Sequence, residues 1–234
     1  MVGSPWLAMI TAAAALWAGD PAQAQVGVSV TVASDLRFRG LSLTDGQPAI
    51  TLGAAYDHAS GFYVGGSAMA QNTYHDGLQM LGFKENLGFA FRQGRDLSLD
   101  IGVDNEDLTQ YGAARRSLHY SEVYAGVSAH GVAAHLYYSP NYFRSGYSTL
   151  YAELSGAMRP ADDWRLFGSV GALSYTSSPP GQGGQATRYD ARVGVARQLG
   201  AFELKLEGTL ATPVPAFLTG QSPEAVVVSA SYFF

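Results

Sequence analysis

Hydrophobic and polar positions alternate along most of this chain with a period of two, the repeat of a strand that is apolar on one face. In the first such stretch Val26, Val28, Val30, Val32, Leu36 and Phe38 share one face, and Gly27, Ser29, Thr31, Ala33, Asp35, Arg37 and Arg39 share the other. The pattern returns at Leu97, Leu99, Ile101 and Val103, at Tyr189, Ala191, Val193 and Val195, and at Phe202, Leu204 and Leu206. Leu81, Phe83, Leu87, Phe89 and Phe91 form another apolar face, broken by Glu85, which a bulge or a position near a membrane interface would accommodate. The last strand carries Val226, Val228, Ala230, Tyr232 and Phe234 on one face and finishes on an aromatic residue.

Short and long connections alternate between these stretches. Tight turns rich in Gly or Pro fall at 58–61, 93–95, 129–131, 159–162 and 199–200. Longer connections lie near 40–47, 71–77, 105–115, 140–146, 176–187 and 213–223. The arrangement predicts about twelve strands, an even number of the kind found in bacterial barrels. Apolar residues occur on both faces at 115–131 and 163–175, so ten or fourteen strands also satisfy the pattern.

The expected fold class is therefore all-β: a transmembrane, up-and-down antiparallel β-barrel of about twelve strands with both termini periplasmic. Closure follows from the solvent, because hydrocarbon cannot satisfy an open sheet edge. The second face of each strand is mostly Gly, Ala, Ser and Thr, which suits the wall of a narrow lumen better than a water-exposed surface. Phe38, Tyr56, Phe62, Tyr138, Tyr147, Trp164, Tyr189, Phe202 and Tyr232 lie near strand ends, where an interfacial aromatic girdle is expected.

Composition agrees. Of 234 residues only 14% are charged, with 28 Gly, 14 Tyr, 11 Phe and no Cys, against about 25% charged in a typical soluble domain. Absent cysteine excludes disulfides and thiolate metal sites. Trp6–Ala18 resembles the apolar core of an export signal, and Ala22-Gln23-Ala24 offers a cleavage site, although no Lys or Arg precedes them. The expected organisation is a cleaved signal at 1–24 and a barrel at 25–234. The whole chain has a formal charge of −5, and losing Asp20 with the signal leaves −4, which argues against a nucleic-acid partner.

Ser34-Asp35-Leu36-Arg37-Phe38-Arg39-Gly40, followed by Thr44-Asp45-Gly46 and Pro48-Ala49, resembles the TorF-type putative porins, a largely uncharacterised family of proteobacterial outer-membrane proteins. Gly61-Phe62-Tyr63-Val64-Gly65 and Leu136-Tyr137-Tyr138-Ser139-Pro140-Asn141-Tyr142-Phe143 are also similar to family segments. Leu36 stands where an aromatic is common there, and Leu43 where a polar residue is common. The resemblance implies a porin by analogy and names no solute.

Candidate chemistry is confined to ionised groups on polar faces. Strand periodicity sets Asp35, Arg37 and Arg39 in a row toward the lumen. Arg188, Asp190 and Arg192 form another row, Glu203, Lys205 and Glu207 a third, and Lys84 lies on a fourth strand. Such groups select permeants by charge, as charged rings do in pores, or they pair to hold the barrel's shape; the mixed signs favour pairing. No nucleophile elbow, H-E-x-x-H or P-loop occurs, so no enzyme activity, cofactor or metal is expected. The function expected is an outer-membrane channel passing small polar solutes or ions. Its expected partners are outer-membrane lipid and the barrel assembly machinery, engaged through the strand ending at Phe234. A structural or adhesion barrel acting through its loops, notably 177–185, and a lipid-modifying enzyme are the other classes considered.

Overall fold

A computed structural model describes residues 25–73, 76–93, 96–111, 116–143, 145–177, 187–212 and 222–234. The export segment 1–24 and the loop at 178–186 lie outside them. The chain begins with β1 (Gln25–Ala33), a two-residue hairpin β2 (Arg37–Phe38) and β3 (Leu41–Ser42), then β4 (Ala49–Asp57), β5 (Phe62–Thr73) and β6 (Gly77–Gln93). It continues with β7 (Leu97–Tyr111), β8 (Arg116–Ala129), β9 (Val132–Ser139), β10 (Ser148–Ala161), β11 (Trp164–Ser177), β12 (Arg188–Leu199), β13 (Phe202–Ala211) and β14 (Glu224–Phe233). Twelve of these strands pair antiparallel, each with its sequence neighbour, and β14 returns to β1 to close a barrel; β2 and β3 form a separate two-stranded piece.

Alternation dictates which residues line this barrel. Val193 and Val226 are each 70% exposed on the outside, while their neighbours Arg192 and Val227 turn inward. The seam joins Ser29–Ala33 to Ser229–Phe233. It is fastened inside by a Thr31–Ser231 hydroxyl pair at 2.8 Å. At one end Ser34 N donates to Val228 O (2.9 Å) while Val228 N donates to Ser34 Oγ (3.0 Å). The seam thus uses less of the first stretch than periodicity suggests, because β1 ends at Ala33.

Glycines on the inner face make room for tyrosines on neighbouring strands. Tyr63, Gly88, Gly102, Tyr124, Tyr137 and Tyr151 follow one another across paired strands. Tyr63 leans over Gly88 and Tyr124 over Gly102, so that their phenols hydrogen-bond to each other. Tyr151 leans over Gly171 and donates to Asp190 (3.1 Å). The rings lean along the wall over these glycines, which leaves room inside the barrel for the 34–48 connection.

Several expectations change. The connections near 71–77 and 105–115 are short: β5 runs to Thr73, β7 to Tyr111, and β8 begins at Arg116. Polar residues there continue the strands by pairing outside the barrel, where Asn105 Nδ2 donates to Glu85 (2.9 Å) and Ser121 Oγ to Asn105 (2.8 Å). Glu85 therefore belongs to a polar outer strip. Leu81 is fully buried, not lipid-facing, because an irregularity opposite Met69/Ala70 turns it inward. Phe38 and Tyr147, expected in the girdle, are buried. The lumen is also neither small-residue nor sparsely charged: Tyr120, Tyr124, Asp100, Asp104, Glu106 and Glu122 are buried in its wall.

Candidate functional site: the hairpin strap in the lumen

Asp35, Arg37 and Arg39 do not lie on a strand face of the barrel wall. They belong to the 34–48 connection, which folds into the lumen. The sequence organises it locally. Asp35 accepts from Ser42 Oγ (2.5 Å), Thr44 Oγ1 (2.8 Å) and Arg37 Nη1 (2.9 Å). Arg39 and Gly40, with φ of 47° and 75°, make the two-residue turn between β2 and β3, where positive φ matches strand twist. Asp45-Gly46 turns the chain back, with φ of 52° and 73°. Periodicity misplaced Arg37 and Arg39 because this hairpin has strand-like alternation of its own, with Phe38 and Leu41 buried.

The hairpin straps the lumen from wall to wall. A Cβ on Gly40 would lie 2.4 Å from Ala211 Cβ on β13, so the turn rests directly on that wall. Arg39 reaches β8, where Nη2 donates to both carboxylate oxygens of Glu122 (2.7 and 2.9 Å). Four strands separate β8 from β13 on one side and six on the other, so these walls are nearly opposite. Arg37 Nη2 donates to Gly40 O (2.7 Å) and to Ser222 O (2.6 Å). Phe38 packs on Tyr120 and Phe143, with ring centroids at 5.7 and 6.4 Å. Phe38 and Leu43 from this strap, with Tyr142 from the 140–147 connection, thus join an aromatic core inside the barrel.

The Arg39 guanidinium sits in a cage. Its carbon lies 3.9 Å from the Tyr151 ring centroid, 4.6 Å from Phe38, 5.1 Å from Tyr137 and 5.8 Å from Tyr142. Aromatic faces attract cations most when water is excluded, and Arg39 is only 6% exposed. The space beside it is a cavity of about 50 Å³ lined in part by Lys84, Asp104, Glu153, Asp190, Arg192 and Glu207. That volume admits only a few waters.

The remaining predicted residues face the lumen from its wall. Lys84 lies 5.4 Å from the Phe38 ring centroid. Arg192 Nε donates to Ser169 Oγ (2.9 Å). Asp190 accepts from Tyr151, and Arg188 is buried beside it on β12. Glu203 accepts from Arg165 Nη2 (2.7 Å), and Lys205 Nζ lies 3.5 Å from Glu207 Oε2. Glu122, Asp104, Tyr137 and Tyr151 were missed as site residues. Their signal was present as inward positions on β7 to β10, but tyrosines there blurred the polar face.

A closed, lipid-compatible sheet around an ionic, strapped lumen defines a small porin-like β-barrel of the outer-membrane class. The chain belongs to the family Gcw_chp, described as a bacterial protein of unknown function, whose model matches residues 18–206. It is similar in fold to the KdgM porin (TM-score 0.56, 11% identity, covering 89% of this chain and 99% of that one). It is also similar to the COG4313 outer membrane channel from Pseudomonas putida F1 (TM-score 0.54, 12% identity, 91% and 95% covered). KdgM in complex with disordered oligogalacturonate matches with a TM-score of 0.54 and 12% identity over 89% of this chain and 99% of that one. At these identities the likeness is one of fold. No curated protein sequence matches.

Proposed function

We propose that the protein is an outer-membrane channel for small polar solutes or ions, exported by residues 1–24, inserted through its C-terminal strand and closed at rest by the 34–48 strap. The TorF-type resemblance points the same way. One observation carries the reading: the lumen is lined by ionised groups. Buried ion pairs add little to stability compared with apolar packing of the same volume. A barrel selected only to be rigid has no need of Lys84, Glu122, Arg192, Glu203, Lys205 and Glu207 in its interior. Water and polar permeants do need such a wall.

Planar bilayers test this with the mature protein and a variant lacking residues 36–47. Discrete conductance steps are expected, larger and longer-lived in the deletion. Folded protein that conducts in neither form would overturn the channel reading.

A further inference from the structure

Arg39 occupies a site that the barrel wall itself provides. Glu122, Tyr137 and Tyr151 belong to β8, β9 and β10, and together they hold a guanidinium that enters from a separate segment. The backbone at Arg39 accepts a left-handed φ of 47° to deliver it. We infer that this cage is a binding site for a cationic solute bearing a guanidinium or primary ammonium group, and that Arg39 is its tethered competitor. The inference rests on the channel reading above and names its solute class.

Charge around the cage supports the assignment. With the strap in place, the cavity is lined by four cationic and five anionic side chains. Arg37 and Arg39 belong to the strap. Without them, Lys84 and Arg192 face Asp104, Glu122, Glu153, Asp190 and Glu207. The wall behind the strap is therefore acidic, although the arginines at the pore centre suggest anion selection. The donors and acceptors around the cavity are not all engaged. Among the described residues Glu207 Oε2 and Arg39 Nη1, both buried, make no hydrogen bond. Glu207 has Lys205 at 3.5 Å as an ion-pair partner. A solute with two cationic ends has a carboxylate at each: Glu122 under the aromatic faces and Glu207 across the cavity.

Competition fixes the consequence. A free cation that takes the cage removes the strap's ionic hold on β8, leaving Phe38 on Tyr120, Arg37 on Ser222 and Gly40 against β13 as its weaker footings. Opening is then driven by the solute that is to pass, and the open lumen favours cations.

The probe is agmatine, which carries a guanidinium and an ammonium; glutarate is the anionic counterpart. By isothermal titration calorimetry on full-length mature protein in detergent, Arg39→Ala is expected to bind agmatine at least tenfold more tightly than wild type. Adding Glu122→Gln to that variant should lose the gain, and glutarate should not bind. Arg39→Gln replaces Arg39→Ala should the latter fail to fold. In bilayers, agmatine should lengthen wild-type openings, and the Arg39→Ala channel should show a cation-selective reversal potential. Agmatine affinity unchanged by Arg39→Ala, or unchanged by Glu122→Gln within it, overturns the site. Agmatine binding with no conductance in any variant overturns the channel reading and leaves the site standing. Conductance without cation preference or agmatine binding does the reverse.

Discussion

His135 Nε2 lies 3.3 Å from Asp100 Oδ2, and the two side chains meet over Gly126 of the strand between them. The register makes this possible, since Gly126 pairs with Asp100 on one side and His135 on the other. A Cβ on Gly126 would fall 2.3 Å from His135 Cδ2 and 2.5 Å from Asp100 Oδ1. Both side chains are buried. Gly126→Ala is expected to lower stability by about 1–3 kcal/mol, the usual cost of overpacking. Urea unfolding in detergent should show a lower midpoint. In the His135→Ala background the same change should cost much less, because the histidine clash is gone and the Asp100 carboxylate can turn into the space the ring leaves; equal costs in both backgrounds would show that the glycine is needed for another reason.

The phenols of Tyr63 and Tyr124 hydrogen-bond across two glycine strands. Removing one leaves its partner's hydroxyl half-satisfied in the wall, whereas removing both leaves nothing to satisfy. Tyr124→Phe is therefore expected to cost about 1 kcal/mol, and Tyr63→Phe added to it should cost little more. Additive losses in the same urea titration would mean that each phenol bonds elsewhere.

How much of this was legible in the sequence follows from which forces are local. Alternation at Val226–Phe234 and Phe202–Leu206 reports a lipid-like solvent on one side, so strand identity, closure and the β1–β14 seam could be read directly. The strap could not. Asp35-Leu36-Arg37-Phe38-Arg39 has the period of a strand, and only the ladder hydrogen bonds, which pass from Ala33 to Ala49, show that it leaves the wall. Leu81 was misread for a related reason: one irregularity shifts inside to outside, which composition does not reveal. The cage was invisible because Arg39 and Glu122 are far apart in the chain and meet only through closure. A tyrosine on the inner side of each of three neighbouring strands, at 124, 137 and 151, was the available hint.

Adjacent residues on β14 should respond oppositely to charge. Val228 is 57% exposed on the outer surface, and Ser229 is buried inside, paired across from Lys205. An arginine on a lipid-facing barrel position costs about 2–4 kcal/mol near the bilayer midplane. Val228→Arg is expected to reduce folding into lipid vesicles by that amount. Ser229→Asp gains Lys205 as a neighbour and should fold almost as wild type. Equal tolerance at both positions would mean that the outer face of β14 does not meet lipid.

Orientation is testable at two connections at opposite ends of the barrel. The β4–β5 turn at 58–61 belongs to the short set, and the β5–β6 connection lies at the other end of β5, on the side of the strap. Porin-like barrels keep their tight turns in the periplasm, and by that rule both termini are expected there and the strap at the outer side. The chain contains no cysteine, so single-cysteine variants report without background. Ala59 and Asp76 are both exposed. On intact cells a membrane-impermeant maleimide is expected to label Asp76→Cys and to spare Ala59→Cys until the outer membrane is permeabilised. The reverse pattern would invert the barrel, turning the strap and its caged arginine toward the periplasm, so that the solute competing with Arg39 would arrive from inside the cell envelope.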